Sequence, residues 1–139
     1  LDVRMKGGHA GGPTLILVHG APSLNTVYWR DDRSDEFCRQ MIAVAGARTG
    51  DLVACGHTHI PWHRVVDGVH LLNTGSVGRP KDGDWRAGVV VLEHRDGSWH
   101  PEFVRVEYDL ARARAGILAS TLPQAFADYL SSGGRSAKT

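Results

Sequence analysis

Sulfur is scarce in this 139-residue chain, and neither sign of charge dominates it. Its two cysteines, Cys38 and Cys55, share no repeating spacing and stand in unlike contexts. That excludes a disulfide framework and predicts reduced thiols in a cytoplasmic protein. Sixteen Lys and Arg against fifteen Asp and Glu leave a formal charge of +1, and the basic residues are scattered, so nothing forms a nucleic-acid footprint. No apolar run approaches the ~20 residues that a membrane-spanning helix needs, and no segment has the pattern of a secretory signal. An initiator methionine is lacking as well, because the first residue is Leu1, which raises the expectation of a missing front half. What is present is globular material. The hydrophobic fraction is 42%, and the length suits one domain with a real core but not two.

Short apolar runs divide the chain. Asp2–Lys6 and Thr14–Val18 read as strands joined by the glycine-rich turn Gly7–Pro13. "TLILV" is continuously apolar, as expected of a strand covered on both faces in a layered α/β fold. After the irregular loop Gly20–Arg33, Ser34 is a helix N-cap with Asp35 and Glu36 in the first turn, where the helix dipole favours them. Phe37, Met41, Ile42 and Ala45 then recur at helical spacing, and Gly46 or Gly50 ends the helix. Asp51–Cys55 is a second buried strand, and "WHRVV-DG-VHLLN" (Trp62–Asn73) has the Asp-Gly turn of a tight hairpin. A polar loop, Asn73–Asp84, leads to the strand "AGVVVLE", which pairs with Ser98–Asp109 across the Arg95–Gly97 turn. Helices are expected at Leu110–Ser120 and Pro123–Leu130, the second with proline at its start. Ordered structure is expected over residues 1–131, with 132–139 a disordered tail. Three strands read as buried on both faces although only one helix precedes residue 100, so something outside this chain is expected to cover them.

Three of the eight histidines end such strands: His19 in "VHGAP", and His57 and His59 in "CGHTHIP". Taken singly, each is an ordinary loop residue. Taken together they point elsewhere, because His-x-His side chains share a face and neutral imidazole is the commonest protein metal ligand. Gly20 and Gly56 would let the backbone turn sharply and approach a bound group. Open α/β sheets place ligands beyond the carboxyl ends of their strands, where both clusters sit. A serine-hydrolase reading is also available, since "TGSVG" nearly makes a nucleophile elbow around Ser76. That elbow needs a helix immediately after the serine, and here Pro80 and Gly83 follow.

"LVHGAP", "LVACGHTHIP", "LLNTGSVGRPKDGDWRAGVVVLE" and "VRVEYDL" together resemble the C-terminal half of the calcineurin-like metallophosphoesterases, over about Leu15–Leu130. The likeness is greatest to their small bacterial and archaeal branch of phosphodiesterases and diadenosine-tetraphosphatase-like enzymes. The resemblance implies an α/β fold, the C-terminal half of a four-layer α/β/β/α sandwich. It also implies hydrolysis of a phosphate-ester substrate with two divalent ions, Mn, Fe, Zn or Ni. His19 and His57 would then bind the second metal and His59 the first. Asn73 and Ser76 would shape the adjoining loop. Arg79 would either reach a phosphate oxygen or remain a surface arginine. Trp62 is expected to pack rather than to stack on substrate. His9, His63, His70, His94 and His100 match no ligand position.

The family's earlier blocks have no counterpart here, since neither Asp-x-His nor Gly-Asn-His occurs. The bridging aspartate and the general-acid histidine are therefore expected in an N-terminal half of the same domain, and this chain alone is expected to be inactive. The alternative is a non-catalytic protein-binding scaffold with the same fold, against which the intact GHTH argues.

Overall fold

Five short strands share one sheet in the computed structural model, which describes residues 3–6 and 12–135. They are β1 (Val3–Lys6), β2 (Thr14–Leu17), β3 (Leu52–Cys55), β4 (Trp62–Val66) and β5 (Val69–Asn73). Their spatial order is β1-β2-β3-β5-β4. The three central strands run parallel, and β1 and β4 are antiparallel edges. Parallel pairing of β2 with β3 needs a crossover, and helix α1 (Asp35–Ala45) supplies it. Ser34 caps α1 by accepting from the Phe37 N–H, and Gly46 ends it in the left-handed conformation at φ 65°.

The period of two along each strand decides what lies on either side of this sheet. Val53 and Cys55 of β3, with Val69 and Leu71 of β5, join Trp29, Trp62, Cys38 and Met41 in one apolar cluster beneath α1. Leu52, Ala54 and Leu72 point the other way, against Val90, Leu92 and Trp99. Those last three belong to a second sheet, an antiparallel hairpin of β6 (Ala87–Arg95) and β7 (Ser98–Val106). All four residues of β3 are buried, as its apolar run predicts. Burying a large aliphatic side chain such as Leu52 or Leu71 stabilises the fold by roughly 1.5–3 kcal/mol each.

β6 alternates, and Val89 and Val91 on its outer face are 38% and 53% exposed. Among the described residues nothing covers them as the inner face is covered. Residues 132–135, expected in the tail, are among the described residues. Helices α2 (Leu110–Leu118) and α3 (Ala125–Ser132) pack on each other, and Gly133–Arg135 are held against residues 82–84. The turn that contains His9 and the residues after Arg135 lie outside the described residues.

Candidate metal centre at the strand ends

β2 and β3 end side by side, and their continuation is hydrogen-bonded: the Val18 N–H donates to Ala54 O and the Gly56 N–H to His19 O, at 3.0 and 2.9 Å. This places His19 and His57 together. His19 Nε2 lies 3.1 Å from His57 Nδ1, with the ring planes crossing at 66°. Two nitrogens each ~2.0–2.1 Å from one ion, at angles of about 90–110°, would be about 2.8–3.4 Å apart. The observed spacing therefore suits two ligands of a single ion as well as it suits a hydrogen bond. His57 Nε2 is buried with no hydrogen-bond partner among the described residues, an expensive condition for a ring nitrogen.

His59 faces differently. Its Nδ1 donates to the Arg79 carbonyl at 2.8 Å, and its own carbonyl accepts from the Lys81 N–H at 3.2 Å. A carbonyl only accepts, so the proton sits on Nδ1 and Nε2 keeps a bare lone pair. This is the orientation in which protein imidazoles bind metals. Burial holds the His59 pKa below the usual imidazole value. The Arg79 carbonyl opposes that shift, and the charges of Lys81, Arg79 and His57 add to it. Of the three sequence-predicted ligands, His19 and His57 meet, while His59 is anchored to the neighbouring loop. Among the described residues no cluster of three or more His, Cys, Asp or Glu side chains is assembled for a metal.

The local backbone is strained where the chemistry would be. His57 and His59 both have positive φ, 60° and 63°, which costs a non-glycine residue of order 1 kcal/mol or more. Gly56 carries no such φ, and a Cβ there would meet ordinary contacts at 3.7 Å, so the freedom expected of it is exercised by the histidines instead. Gly20 is required for a different reason: a Cβ would stand 2.2 Å from Asn25 O, where residues 21–24 close a tight loop. Asn73, fully buried, counteracts the strain. Its Nδ2 donates to Gly56 O (2.6 Å) and Thr58 Oγ1 (3.0 Å), and its Oδ1 accepts from the Gly75 N–H (2.9 Å). Ser76 Oγ accepts from the Arg79 N–H at 3.0 Å. No helix immediately follows Ser76, which removes the elbow geometry that a serine nucleophile requires.

Other assignments resolve simply. The Arg79 guanidinium lies over the rings of Phe126 and Tyr129. Trp62 is core, donating from Nε1 to Trp29 O at 3.2 Å. Cys55 is a buried thiol whose pKa burial pushes up to about 12, with the Asn73 hydrogen bond opposing. Tyr28, which sequence reasoning missed, tilts over His57 with ring centres 4.5 Å apart. It sits in an irregular loop with no pattern to single it out.

Comparison with known proteins gives this geometry a context. The model of the calcineurin-like phosphoesterase superfamily domain matches residues 5–97. Uncharacterized protein MJ0912 of Methanocaldococcus jannaschii is 34% identical over 90 residues, covering 54% of this chain and 36% of that protein. A crystal structure of a metallophosphoesterase from Sphaerobacter thermophilus superposes with TM-score 0.71 at 26% identity, covering 94% of this chain and 58% of that one. Hypothetical protein PH1004 from Pyrococcus horikoshii OT3 gives TM-score 0.78 at 16% identity, with coverage of 98% and 51%, and so shows likeness of fold. The chain thus spans about a third of its curated relative and between half and three fifths of the two solved structures.

Proposed function

Because the chain belongs to the calcineurin-like phosphoesterase superfamily, we propose that it supplies one side of a two-metal centre for hydrolysis of phosphate esters. In this reading His19 Nε2 and His57 Nδ1 share one divalent ion and His59 Nε2 holds the other. The observation that carries it is the 3.1 Å approach of two ring nitrogens at adjacent strand ends, beside a third imidazole whose proton is pinned away from its Nε2. Divalent ions bound there would activate water and neutralise the phosphoryl oxygens. The chain's own residues do the holding. Asn73 ties the His57 loop to β5, the Arg79 carbonyl fixes the His59 tautomer, and Tyr28 covers one face of His57.

Neutral imidazoles do not offset the repulsion of two dications a few ångströms apart, so anionic donors are needed. No carboxylate joins the histidines among the described residues. We assign the bridging aspartate and the general-acid histidine to an N-terminal half of the same domain, which makes this chain the C-terminal half of a four-layer sandwich. The exposed outer face of β6 and the partial coverage of the relatives support that assignment. The substrate class is a phosphodiester or related phosphate ester, as in the small bacterial and archaeal branch. Mn, Fe, Zn and Ni all suit such a ligand set, manganese being the choice for assay. A cytoplasmic location accords with two buried, unpaired cysteines. No helix among the described residues is long and apolar enough to cross a membrane.

Turnover tests this reading. With Mn²⁺, the 139-residue chain should hydrolyse a chromogenic phosphodiester no faster than the ion alone, because loss of a general acid by itself costs about 10²–10⁴ in rate. Joined to the upstream part of its own gene product, it should become active. Robust Mn²⁺-dependent turnover by the isolated chain would overturn the assignment of the missing groups.

A further inference from the structure

The C-terminal helix grips the same loop that steadies His59. α3 carries Phe126 and Tyr129 three residues apart and so on one face. The Arg79 guanidinium lies 4.9 Å from the first ring centre and 5.2 Å from the second. Beyond the helix the chain reverses through left-handed Gly133 and Gly134, at φ 58° and 77°. That reversal brings the Gly83 N–H to Gly133 O at 3.0 Å and the Arg135 guanidinium to Asp82 O at 3.2 Å. The approach requires glycine: a Cβ on Gly133 would stand 2.5 Å from Asp84 N, and one on Gly134 2.6 Å from Pro80 O. From its other side the loop is held by Ser76 Oγ on the Arg79 N–H and by His59 O on the Lys81 N–H.

Everything that fixes the Arg79 peptide therefore fixes His59, because one carbonyl oxygen receives the His59 Nδ1 proton. If that peptide moves, the ring loses both its tautomer preference and its aim. We propose that α3 is a positioning element for His59, with Phe126 and Tyr129 acting through Arg79. The aromatic pair anchors the arginine side chain, and the arginine main chain selects the imidazole tautomer with a bare Nε2. The effect on metal affinity rests on the reading of His59 as a ligand; the effect on tautomer does not.

Ring ¹⁵N spectra of His59 in the metal-free chain test this, together with titration by Zn²⁺ alone. The wild-type chain should show the Nδ1–H tautomer. Phe126→Leu/Tyr129→Leu should show both tautomers and bind Zn²⁺ about tenfold more weakly, the low end of what outer-shell partners of metal ligands contribute. Tyr129→Phe, which keeps the ring, should match wild type in both readouts. If the double variant does not fold, Arg79→Gln, which removes only the cation the rings hold, carries the same expectation. Unchanged tautomer and unchanged affinity, with α3 shown by amide exchange to be detached, would overturn the proposal. A tautomer shift in a protein that binds no Zn²⁺ supports the positioning role and refutes only the ligand reading. Zn²⁺ binding that depends on His59 but ignores the α3 variant refutes only the positioning role.

Discussion

Two pairs of histidines in this chain meet at almost the same distance and differ in nearly everything else. His19 Nε2 and His57 Nδ1 are 3.1 Å apart; His63 Nε2 and His70 Nδ1 are 3.0 Å apart. The first pair stands beyond the ends of parallel strands, with strained backbone at His57, its rings crossed and one buried nitrogen unpartnered. The second pair stands within β4 and β5, diagonal neighbours across an antiparallel ladder, where side chains regularly meet. Its rings are nearly parallel, at 21°, and the far nitrogen of His70 lies 3.4 Å from Ser98 Oγ on the second sheet. One hydrogen-bond chain links His63 Nε2 to His70 Nδ1 and His70 Nε2 to Ser98 Oγ, its direction set by the histidine tautomers. Proximity of imidazoles is therefore not itself evidence for a metal centre. An unsatisfied nitrogen beyond the strand ends, His57 Nε2, distinguishes the first pair, and a closed hydrogen-bond chain between two layers marks the second.

Activity should separate the pairs most widely. In the chain joined to the proposed N-terminal half, His57→Ala should lower Mn²⁺-dependent phosphodiester turnover by more than the roughly 10–100-fold typical of an outer-shell partner. His63→Gln, at a ring bonded to His70 and to none of the three candidate ligands, should leave the rate within about twofold. Equal losses from the two substitutions would erase the distinction.

Stability should separate their supports. Asn73→Ala leaves the Gly75 N–H unsatisfied, at about 1–3 kcal/mol, and takes one bond each from the Gly56 carbonyl and the Thr58 hydroxyl, which keep the Thr58 N–H and Ile60 as partners. We expect a loss of about 3 kcal/mol in urea unfolding. Ser98→Ala removes one long contact and should cost less than about 1 kcal/mol. Comparable losses would mean that the strand-end loop is not held as described.

The second pair should be legible in pH dependence. Burial holds the pKa of His63 and of His70 below the usual 6.5; at His70 the charges of His63, His100 and His94 push the same way. The unfolded chain then binds more protons than the folded one as pH falls below about 6.5, so folding stability should decline on acidification and level off above that pH. Melting temperature measured with a chelator present should follow this course, shallower in His70→Gln. The remaining slope belongs to His63 and His59, both depressed by burial. A slope unaltered by His70→Gln would remove the hairpin pair from the account.

Much of this architecture could be read from the chain. The hairpin Trp62–Asn73 was legible because Asp-Gly suits a turn that needs two positive φ values, and Asp67 and Gly68 adopt 50° and 75°. Helix α1 was legible because Ser34 and Gly46 are local signals that tertiary packing did not override. The grouping of His19 with His57 follows from both ending parallel strands. Other features depend on contacts distant in sequence. Nothing near His57 announces that Tyr28 will cover it, and the link from Phe126 and Tyr129 through Arg79 to His59 spans 67 residues or more. That some strand faces would lack a cover within this chain was legible from the shortage of helices, but an unbroken apolar run does not say which face of β6 that is.

The most direct measurement is a titration of the 139-residue chain with Zn²⁺, followed by the ring ¹⁵N signals of all assigned histidines at neutral pH. The account predicts that His19 Nε2 and His57 Nδ1 respond first and together, while His63 and His70 keep the signals of their hydrogen-bond chain. A response that begins at His63 and His70, or one that leaves His19 and His57 unmoved at saturating Zn²⁺, would contradict it.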